Sequence, residues 1–254
     1  MQYNEKLDAA LAALKGDMVE TLQRWVRVPS VRAERSAENA PFGADVRRAL
    51  DTAMADLKRL GFEPRDVDGY CCDTEIGSGD DVVAVLAHLD VVPEGDGWTH
   101  DPYGAEIIDG RMIGRGTSDD KGPGVAALFG MKAIMDAGIP LRRRCRLILG
   151  CDEECGMEDL KYYEKKVGLP DMGFSPDANL SIPKRASCSS LSMRRWQIIV
   201  CLKSHPERAA TSFRIWRRRC WRATGAKRLP MRLMSMTRIA SWKPNWWTET
   251  PAWR

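Results

Sequence analysis

The chain has 254 residues, which is enough for one large domain or two small ones. Hydrophobic residues make up 44% and charged residues 29%, as in a soluble globular protein with a core. No apolar run approaches the about 20 residues that a membrane-spanning helix needs. Residues 1–6 lack a basic segment followed by an apolar one, so we expect no secretory signal and a cytoplasmic location. The eight cysteines show no framework spacing, which excludes a disulfide-stabilised secreted protein.

The composition changes abruptly after residue 182. Residues 1–182, the acidic body, hold 22 Lys and Arg and 33 Asp and Glu, a net charge of −11. Residues 183–254, the basic tail, hold 17 and 2, a net charge of +15, so the +4 of the whole chain averages two unlike parts. The body holds 20 of the 21 glycines, and the tail holds seven of the nine tryptophans. We therefore treat the body and the tail as separate segments.

Two amphipathic helices are predicted at the start of the body. Apolar residues three and four positions apart indicate a helix from Asn4 to Val26. A second helix is predicted from Ala44 to Leu60, because Gly61 is a common helix terminator. The apolar positions of the first helix are Leu7, Leu11, Leu14, Met18, Leu22 and Val26.

Strands and helices alternate through the rest of the body. Short β-branched and apolar runs predict strands that are buried on both faces. This alternation is typical of an α/β domain in which helices cover a sheet. The predicted elements are strands at Asp81–Ala87 and Arg144–Gly150, a strand pair over Ala105–Ile113 that turns at Asp109-Gly110, and helices at Gly122–Ala137 and Met157–Lys166.

Polar motifs follow the predicted strands, where ligands bind in α/β sheets. His88 and Asp90 close the first of these strands. Side chains two positions apart on an extended chain face the same way, so the imidazole could bind a metal while the carboxylate orients it. A loop histidine beside a solvated aspartate is the alternative.

A glycine-rich segment over 114–122 joins a strand to a helix and contains Asp119, Asp120 and Lys121. Acidic side chains at a helix N-terminus are favoured by the helix dipole, so an ordinary helix cap remains an alternative to a metal ligand. The segment is not a phosphate-binding loop, because the Gly-x4-Gly-Lys-Ser/Thr order is missing.

Three consecutive acids, Asp152, Glu153 and Glu154, follow the predicted strand at 144–150. They repel one another unless a cation or solvent accepts them, so one could bind a metal while its neighbour stays free as a base. A solvated acidic turn is the alternative. Asp177, after Phe174-Ser175-Pro176, could add one more oxygen ligand.

Taken together, the four motifs supply a mixed nitrogen and oxygen donor set. One histidine with Asp119, Glu154 and Asp177 suits zinc or manganese. A carboxylate that bridges two ions would form a hydrolytic site that polarises a carbonyl and lowers the pKa of a water molecule. Glu153 would then take the proton of that water as general base.

The order of these motifs closely resembles the di-zinc aminoacylase/carboxypeptidase family of metallopeptidases, and two further stretches point to its dipeptidase-V, carnosinase-like branch. The resemblance covers about residues 5–182. The motifs are His88-x-Asp90, Gly114–Pro123, Asp152–Glu154 and Ser175–Ala178, and the two stretches are Asp96–Pro102 and Gly173–Asp177.

The resemblance implies a layered zinc-exopeptidase-like catalytic domain that is interrupted by a lid domain. It also implies a substrate, a dipeptide or short peptide with a free amino terminus, and two Zn²⁺ ions, with Mn²⁺ or Co²⁺ as other possibilities. The implied roles are His88 and Asp177 on the first ion, Asp119 between both, Glu154 on the second, Glu153 as the base and Asp90 as support.

The chain departs from the family in ways that bear on activity. The family needs a further histidine ligand after the lid, but the other histidines here are His100, expected at the surface, and His205, in the basic tail. We therefore expect a truncated catalytic domain without its lid, and impaired activity. An aminoacylase or deacetylase-type amidohydrolase, or a non-catalytic metal-binding remnant, remains an alternative.

The basic tail shows no sustained helix or strand period. Arg217–Arg219 between Trp216 and Trp221 could serve a nucleic-acid-binding arm, and a membrane-surface segment is also open. We favour a disordered segment translated in the wrong frame, with neither nucleic acid nor membrane as partner. One codon choice for Pro183–Cys188, CCG AAA AGG GCA TCC TGC, gives Glu-Lys-Gly-Ile-Leu from its third base, which suggests a one-base slip near Ser181–Pro183.

Overall fold

The computed structural model of the chain describes residues 3–177. The basic tail, with its expected disorder, its possible nucleic-acid arm and His205, lies outside the described residues. In chain order the described elements are α1 Tyr3–Val26, α2 Ala44–Arg59, β1 Arg65–Val67, β2 Cys71–Ile76, β3 Val82–His88, β4 Glu106–Ile108, β5 Arg111–Ile113, α3 Lys121–Asp136, β6 Arg144–Gly150, α4 Glu158–Lys166 and β7 Met172–Phe174.

The main sheet has five strands in the order β1-β2-β6-β3-β7. Strands β3, β6 and β7 run parallel, whereas β2 is antiparallel to β6 and β1 is antiparallel to β2. In the central pair His88 lies opposite Gly150. The last residue of β3 is therefore the neighbour of the last residue of β6, and the segments that follow the two strands begin side by side.

Alternation along the central strands divides the core between the two faces of the sheet. Val85 of β3 and Leu147 of β6 belong to a large core with residues of α1, α2 and α3. Ala84 and Ile148 point to the other face, where they pack with Tyr163 of α4. Because both faces are covered, these strands consist of nearly continuous apolar residues. The α/β fold class predicted from the sequence is confirmed, with helices on both faces of the sheet.

The four predicted helices and the predicted strands are present within one or two residues of their expected ends. The strand pair β4–β5 forms its own two-stranded sheet and turns at Asp109 and Gly110, whose φ angles are 50° and 75°. Both residues adopt positive φ, as the favoured two-residue hairpin turn requires. Among residues 3–177 no helix combines the length and apolarity needed to cross a bilayer.

The sequence analysis missed the strands β1, β2 and β7. Strand β2 is buried over its first four residues, yet it contains Asp73 and Thr74 and so lacks an apolar run. The buried Asp73 carboxylate has two donors that compensate for its burial. Arg65 Nε on β1 donates to it at 2.9 Å, and the Tyr163 hydroxyl on α4 also donates to it. Partners that are distant in the sequence thus make a polar strand stable in the interior.

Candidate metal centre

The predicted site residues gather at one edge of the main sheet. His88 ends β3, and the acid loop, which we define as Cys151–Glu154, follows β6. Asp119 lies two residues before the start of α3, and Asp177 follows β7. Parallel strands that end at the same edge bring these separate motifs together, as expected for a site in an α/β sheet.

His88 is buried, with 3% of its surface exposed, and its two ring nitrogens face different partners. Nδ1 lies 2.9 Å from the carbonyl oxygen of Asp90 and 3.3 Å from its carboxylate. Nε2 lies 3.1 Å from Asp119 Oδ1 and 3.9 Å from Glu153 Oε2. When the Nδ1–H group donates a hydrogen bond to the Asp90 carbonyl oxygen, Nε2 carries no proton and its lone pair faces the acids. This is the arrangement that a metal ligand requires.

Two groups of side chains have ligand atoms close enough to hold a cation. His88, Asp119 and Asp177 place one ligand atom each within 4.8 Å of one another, and His88, Glu153 and Glu154 do the same. Each group combines one nitrogen with two carboxylate oxygens, which is a donor set suited to zinc or manganese. Every metal ligand expected from the sequence therefore lies in one cluster, together with the expected base.

His100 lies outside both groups. Its Nδ1 is 3.3 Å from Glu106 Oε2, and 35% of its side chain is exposed. His88 is thus the one histidine of residues 3–177 that could contribute to the cluster. A second nitrogen ligand, which the resemblance requires, would have to come from outside this part of the chain.

Asp90 joins the histidine to the acid loop. Its carboxylate is fully buried. Oδ1 accepts the backbone N–H of Glu153 at 3.2 Å, and Oδ2 accepts that of Glu154 at 3.0 Å. The same side chain lies beside Nδ1 of His88. Asp90 therefore fixes the ring of His88 and the backbone of both glutamates at once.

Asp152, the first of the three consecutive acids, turns away from the cluster. Its Oδ2 accepts the backbone N–H of Glu158 at 3.0 Å, at the N-terminal end of α4. Its Oδ1 lies 2.6 Å from Nε of Arg32. The repulsion expected among three neighbouring acids is thereby reduced, since one of them is neutralised by a helix end and an arginine.

Asp120 and Lys121 are buried residues of the centre to which the sequence analysis gave no role. Asp120 Oδ2 accepts the backbone N–H of His88 at 3.3 Å. Nζ of Lys121 donates to the carbonyl oxygens of Trp25 at 3.0 Å and Val28 at 2.7 Å, which connects the end of α1 to the start of α3. The only signal in the sequence is their place beside Asp119 at the start of a helix.

The electrostatics of the cluster change the proton affinity of its members. Burial opposes a charge on His88, but hydrogen bonds to Asp119 and Asp90 outweigh it and raise the pKa of His88 to about 12. Burial raises the pKa of Glu153, with the negative charges of Asp177 and Glu154 adding to it and His88 opposing. A glutamate with a raised pKa is a better proton acceptor near neutral pH. The ring of His88 must lose its proton before Nε2 can bind a metal ion.

Residues 84–186 match the family described as Peptidase family M20/M25/M40. The protein YtjP of Bacillus subtilis (strain 168), whose name gives dipeptidase as a provisional function, is 42% identical over 169 residues, which cover 66% of this chain and 36% of that protein. A Staphylococcus haemolyticus (strain JCSC1435) protein with the same provisional function is 38% identical over 165 residues, or 65% and 35% of the two chains. The chain thus spans about a third of the length of these relatives.

Two solved structures share the fold of the described residues. Human carnosine dipeptidase 1 is 26% identical with a TM-score of 0.57, and the match covers 70% of this chain and 42% of that one. The dipeptidase Dug1p of Saccharomyces cerevisiae is 23% identical with a TM-score of 0.54, over 65% and 38% of the two chains. The mixed sheet with helices on both faces is therefore similar to part of the catalytic domain in these proteins.

Proposed function

We propose that the chain is part of a peptidase family M20 catalytic domain and that the protein is a metal-dependent dipeptidase that hydrolyses dipeptides or short peptides; the match to this family over residues 84–186 supports both. The observation that supports this most is the cluster in which ligand atoms of His88, Asp119 and Asp177 lie within 4.8 Å of one another. Glu153 and Glu154 lie against the same histidine.

In this proposal His88 and Asp177 would hold a first divalent cation, Glu154 would hold a second, and Asp119 would serve both. The nitrogen and oxygen donors fit Zn²⁺, with Mn²⁺ or Co²⁺ as substitutes. When bound, the cation supplies Lewis-acid polarisation of the scissile carbonyl and lowers the pKa of water. Asp90 keeps the His88 ring in the orientation that presents Nε2 to this centre.

Glu153 is the proposed general base. Its side chain is 18% exposed, and Oε2 lies 3.9 Å from Nε2 of His88. The carboxylate is therefore next to the proposed metal ligands and also accessible to solvent. Its raised pKa suits a group that accepts a proton from the attacking water at Oε2. The buried Asp90 holds the backbone N–H of Glu153 and so limits where this carboxylate can lie.

Substitution of Glu153 tests the proposal. Because the chain spans about a third of the length of its relatives, we expect weak hydrolysis of dipeptides by the purified 254-residue chain with added Zn²⁺ or Mn²⁺. Glu153→Ala should reduce this turnover by about 10²- to 10⁴-fold while cation binding persists. Glu38→Ala, at an exposed glutamate elsewhere, should match the wild type.

Two outcomes would speak against the proposal. Unchanged turnover in Glu153→Ala would remove Glu153 from the role of base. Cation binding without any turnover in the wild-type chain would favour a non-catalytic metal-binding protein. Calorimetric titration with Zn²⁺ beside the hydrolysis assay separates these two results.

A further inference from the structure

The backbone of the acid loop is held by two buried carboxylates. Oδ2 of Asp159, a residue of the first turn of α4, accepts the N–H of Cys151 at 2.6 Å and that of Asp152 at 3.1 Å. Asp90 accepts the next two N–H groups, those of Glu153 and Glu154. Four consecutive peptide N–H groups therefore donate hydrogen bonds to carboxylate oxygens. Of the two carboxylates, only that of Asp90 also contacts His88.

We propose that Asp159 is a positioning residue of the metal centre, which acts by fixing the peptide planes at the start of the acid loop. This inference rests on the proposed function, because it gives Asp159 its effect through Glu153 and Glu154. Because Asp159 binds the N–H groups of Cys151 and Asp152, the backbone direction after β6 is fixed. The two glutamates that follow are then presented to His88 rather than to solvent.

The approach of Asp159 to the sheet is unusually close. A Cβ atom at position 150 would lie 2.5 Å from Asp159 Oδ2, so the last residue of β6 has to be glycine while the carboxylate occupies this place. Gly150 is also the residue that pairs with His88 across the sheet. Asp159 therefore lies beside the paired ends of β3 and β6, next to His88 and the start of the acid loop.

The two oxygens of the Asp159 carboxylate have different partners. Oδ1 accepts the N–H of Leu160 in its own helix at 2.7 Å, whereas Oδ2 points back to the end of β6. The N–H of Glu158 at the start of α4 is accepted by Asp152. Only 1% of Asp159 is exposed, and burial together with the charge of Asp90 raises its pKa to about 7. A buried carboxyl group is tolerated when hydrogen bonds satisfy it, and the loop N–H groups provide them.

The experiment compares Asp159→Ala and Asp159→Asn with the matched control Asp56→Asn in the full 254-residue chain. Asp56 is also buried and hydrogen-bonded, but its partners are Arg24, Arg59 and Trp25. Two properties are measured for each protein. One is the affinity for Co²⁺, from its visible absorption. The other is the hydrogen exchange of the Glu153 and Glu154 amides in the metal-free chain.

We expect Asp159→Ala to weaken Co²⁺ binding by about 10- to 100-fold, as losses of groups behind metal ligands do. Exchange at Glu153 and Glu154, whose N–H groups Asp159 does not touch, should become at least about 10-fold faster, in keeping with a loop that opens locally. Asp159→Asn keeps one oxygen for the N–H groups of Cys151 and Asp152, so it should recover part of both losses. Asp56→Asn should bind Co²⁺ as the wild type does.

The inference is overturned if Asp159→Ala binds Co²⁺ like the wild type and leaves the exchange of Glu153 and Glu154 unchanged. It is also overturned if Asp56→Asn loses as much affinity, since general destabilisation would then explain the effect. If Asp159→Ala does not fold, Asp159→Asn is judged by the same criteria. A wild-type chain that binds no Co²⁺ would refute the proposed function, and the exchange of the two amides would then decide the positioning role alone.

Discussion

At the residue scale, Asp152, Glu153 and Glu154 are neighbours in the chain, yet their side chains meet different partners. Asp152 pairs with Arg32 and the start of α4, whereas both glutamates lie against His88. The acids of this edge accordingly fall into two sets. One set accepts backbone N–H groups and orders the loops, and the other presents oxygens to the cation cluster.

Which acid belongs to which set could be predicted only in part. His88, Asp119, Glu154 and Asp177 follow strands or precede a helix, and this local position was enough to single them out. Asp159 gives no such signal, because in the sequence it is one of two neighbouring acids in the first turn of a helix. Its role depends on the return of α4 to the end of β6, which no local pattern specifies.

Asp159 should also make stability depend on pH. Burial raises its pKa from 3.8 to about 7, with the charges of Asp90 and Asp152 adding to the effect and the N–H groups of Cys151 and Leu160 opposing it. Between these two values the folded chain binds more protons than the unfolded chain. The contribution of Asp159 to stability is therefore full below pH 3.8 and is lost as the pH rises through about 7.

We expect Asp159→Asn to flatten this part of the pH profile. Thermal unfolding of the metal-free chain between pH 4 and pH 8 measures it, with the wild-type chain as the reference. A slope in Asp159→Asn equal to that of the wild type would show that this carboxyl group does not titrate as argued.

At the scale of elements, local pattern was sufficient for the helices and for the longer apolar strands, whereas the three-residue strand β7 is too short to show a pattern. The helix α1 and the strand β6 were predicted to within one residue of both ends. The edge strand β1 and its neighbour β2 were missed because they pair through Arg65 and the buried Asp73, so neither contains an apolar run. The register that sets His88 opposite Gly150 could not be predicted either, because it joins segments 62 positions apart.

Lys121 makes the clearest contact between elements that the sequence analysis did not predict. Its side chain is fully buried, and its two acceptors, the carbonyl groups of Trp25 and Val28, lie 96 and 93 positions earlier in the chain. These carbonyl groups lie at the end of α1, where each also accepts one backbone N–H, that of Val28 or that of Ser30. The second hydrogen bond of each comes from Nζ of Lys121, which therefore anchors α1 to the start of α3.

Replacing this group should destabilise the fold. In Lys121→Met the side chain keeps its approximate volume, but the carbonyl groups of Trp25 and Val28 each lose one of two hydrogen bonds, which costs about 1–3 kcal/mol in the free energy of unfolding. Urea unfolding measures the loss. Lys132→Met is the control on the same helix, where the ion pair with Asp136 is solvent-accessible and contributes at most about 0.5 kcal/mol. Equal stability of the wild type and Lys121→Met would contradict the anchoring role.

At the scale of the whole molecule, two boundaries nearly coincide. The match to the peptidase family ends at residue 186. The composition changes from a net charge of −11 to +15 between residues 182 and 183. We propose that a change of reading frame explains both boundaries, because such a change alters every residue that follows it.

The coding DNA therefore offers a direct test of the basic tail. We expect sequencing across the codons for Ser181–Cys188 to show a one-base insertion or deletion when compared with an independently cloned copy of the gene. The alternative frame should read Glu-Lys-Gly-Ile-Leu in place of the residues after Ile182. An uninterrupted frame that encodes the tail as it stands would refute this interpretation. The positively charged segment around Arg217–Arg219 would then have to be tested as a nucleic-acid-binding arm, by the salt dependence of DNA and RNA binding.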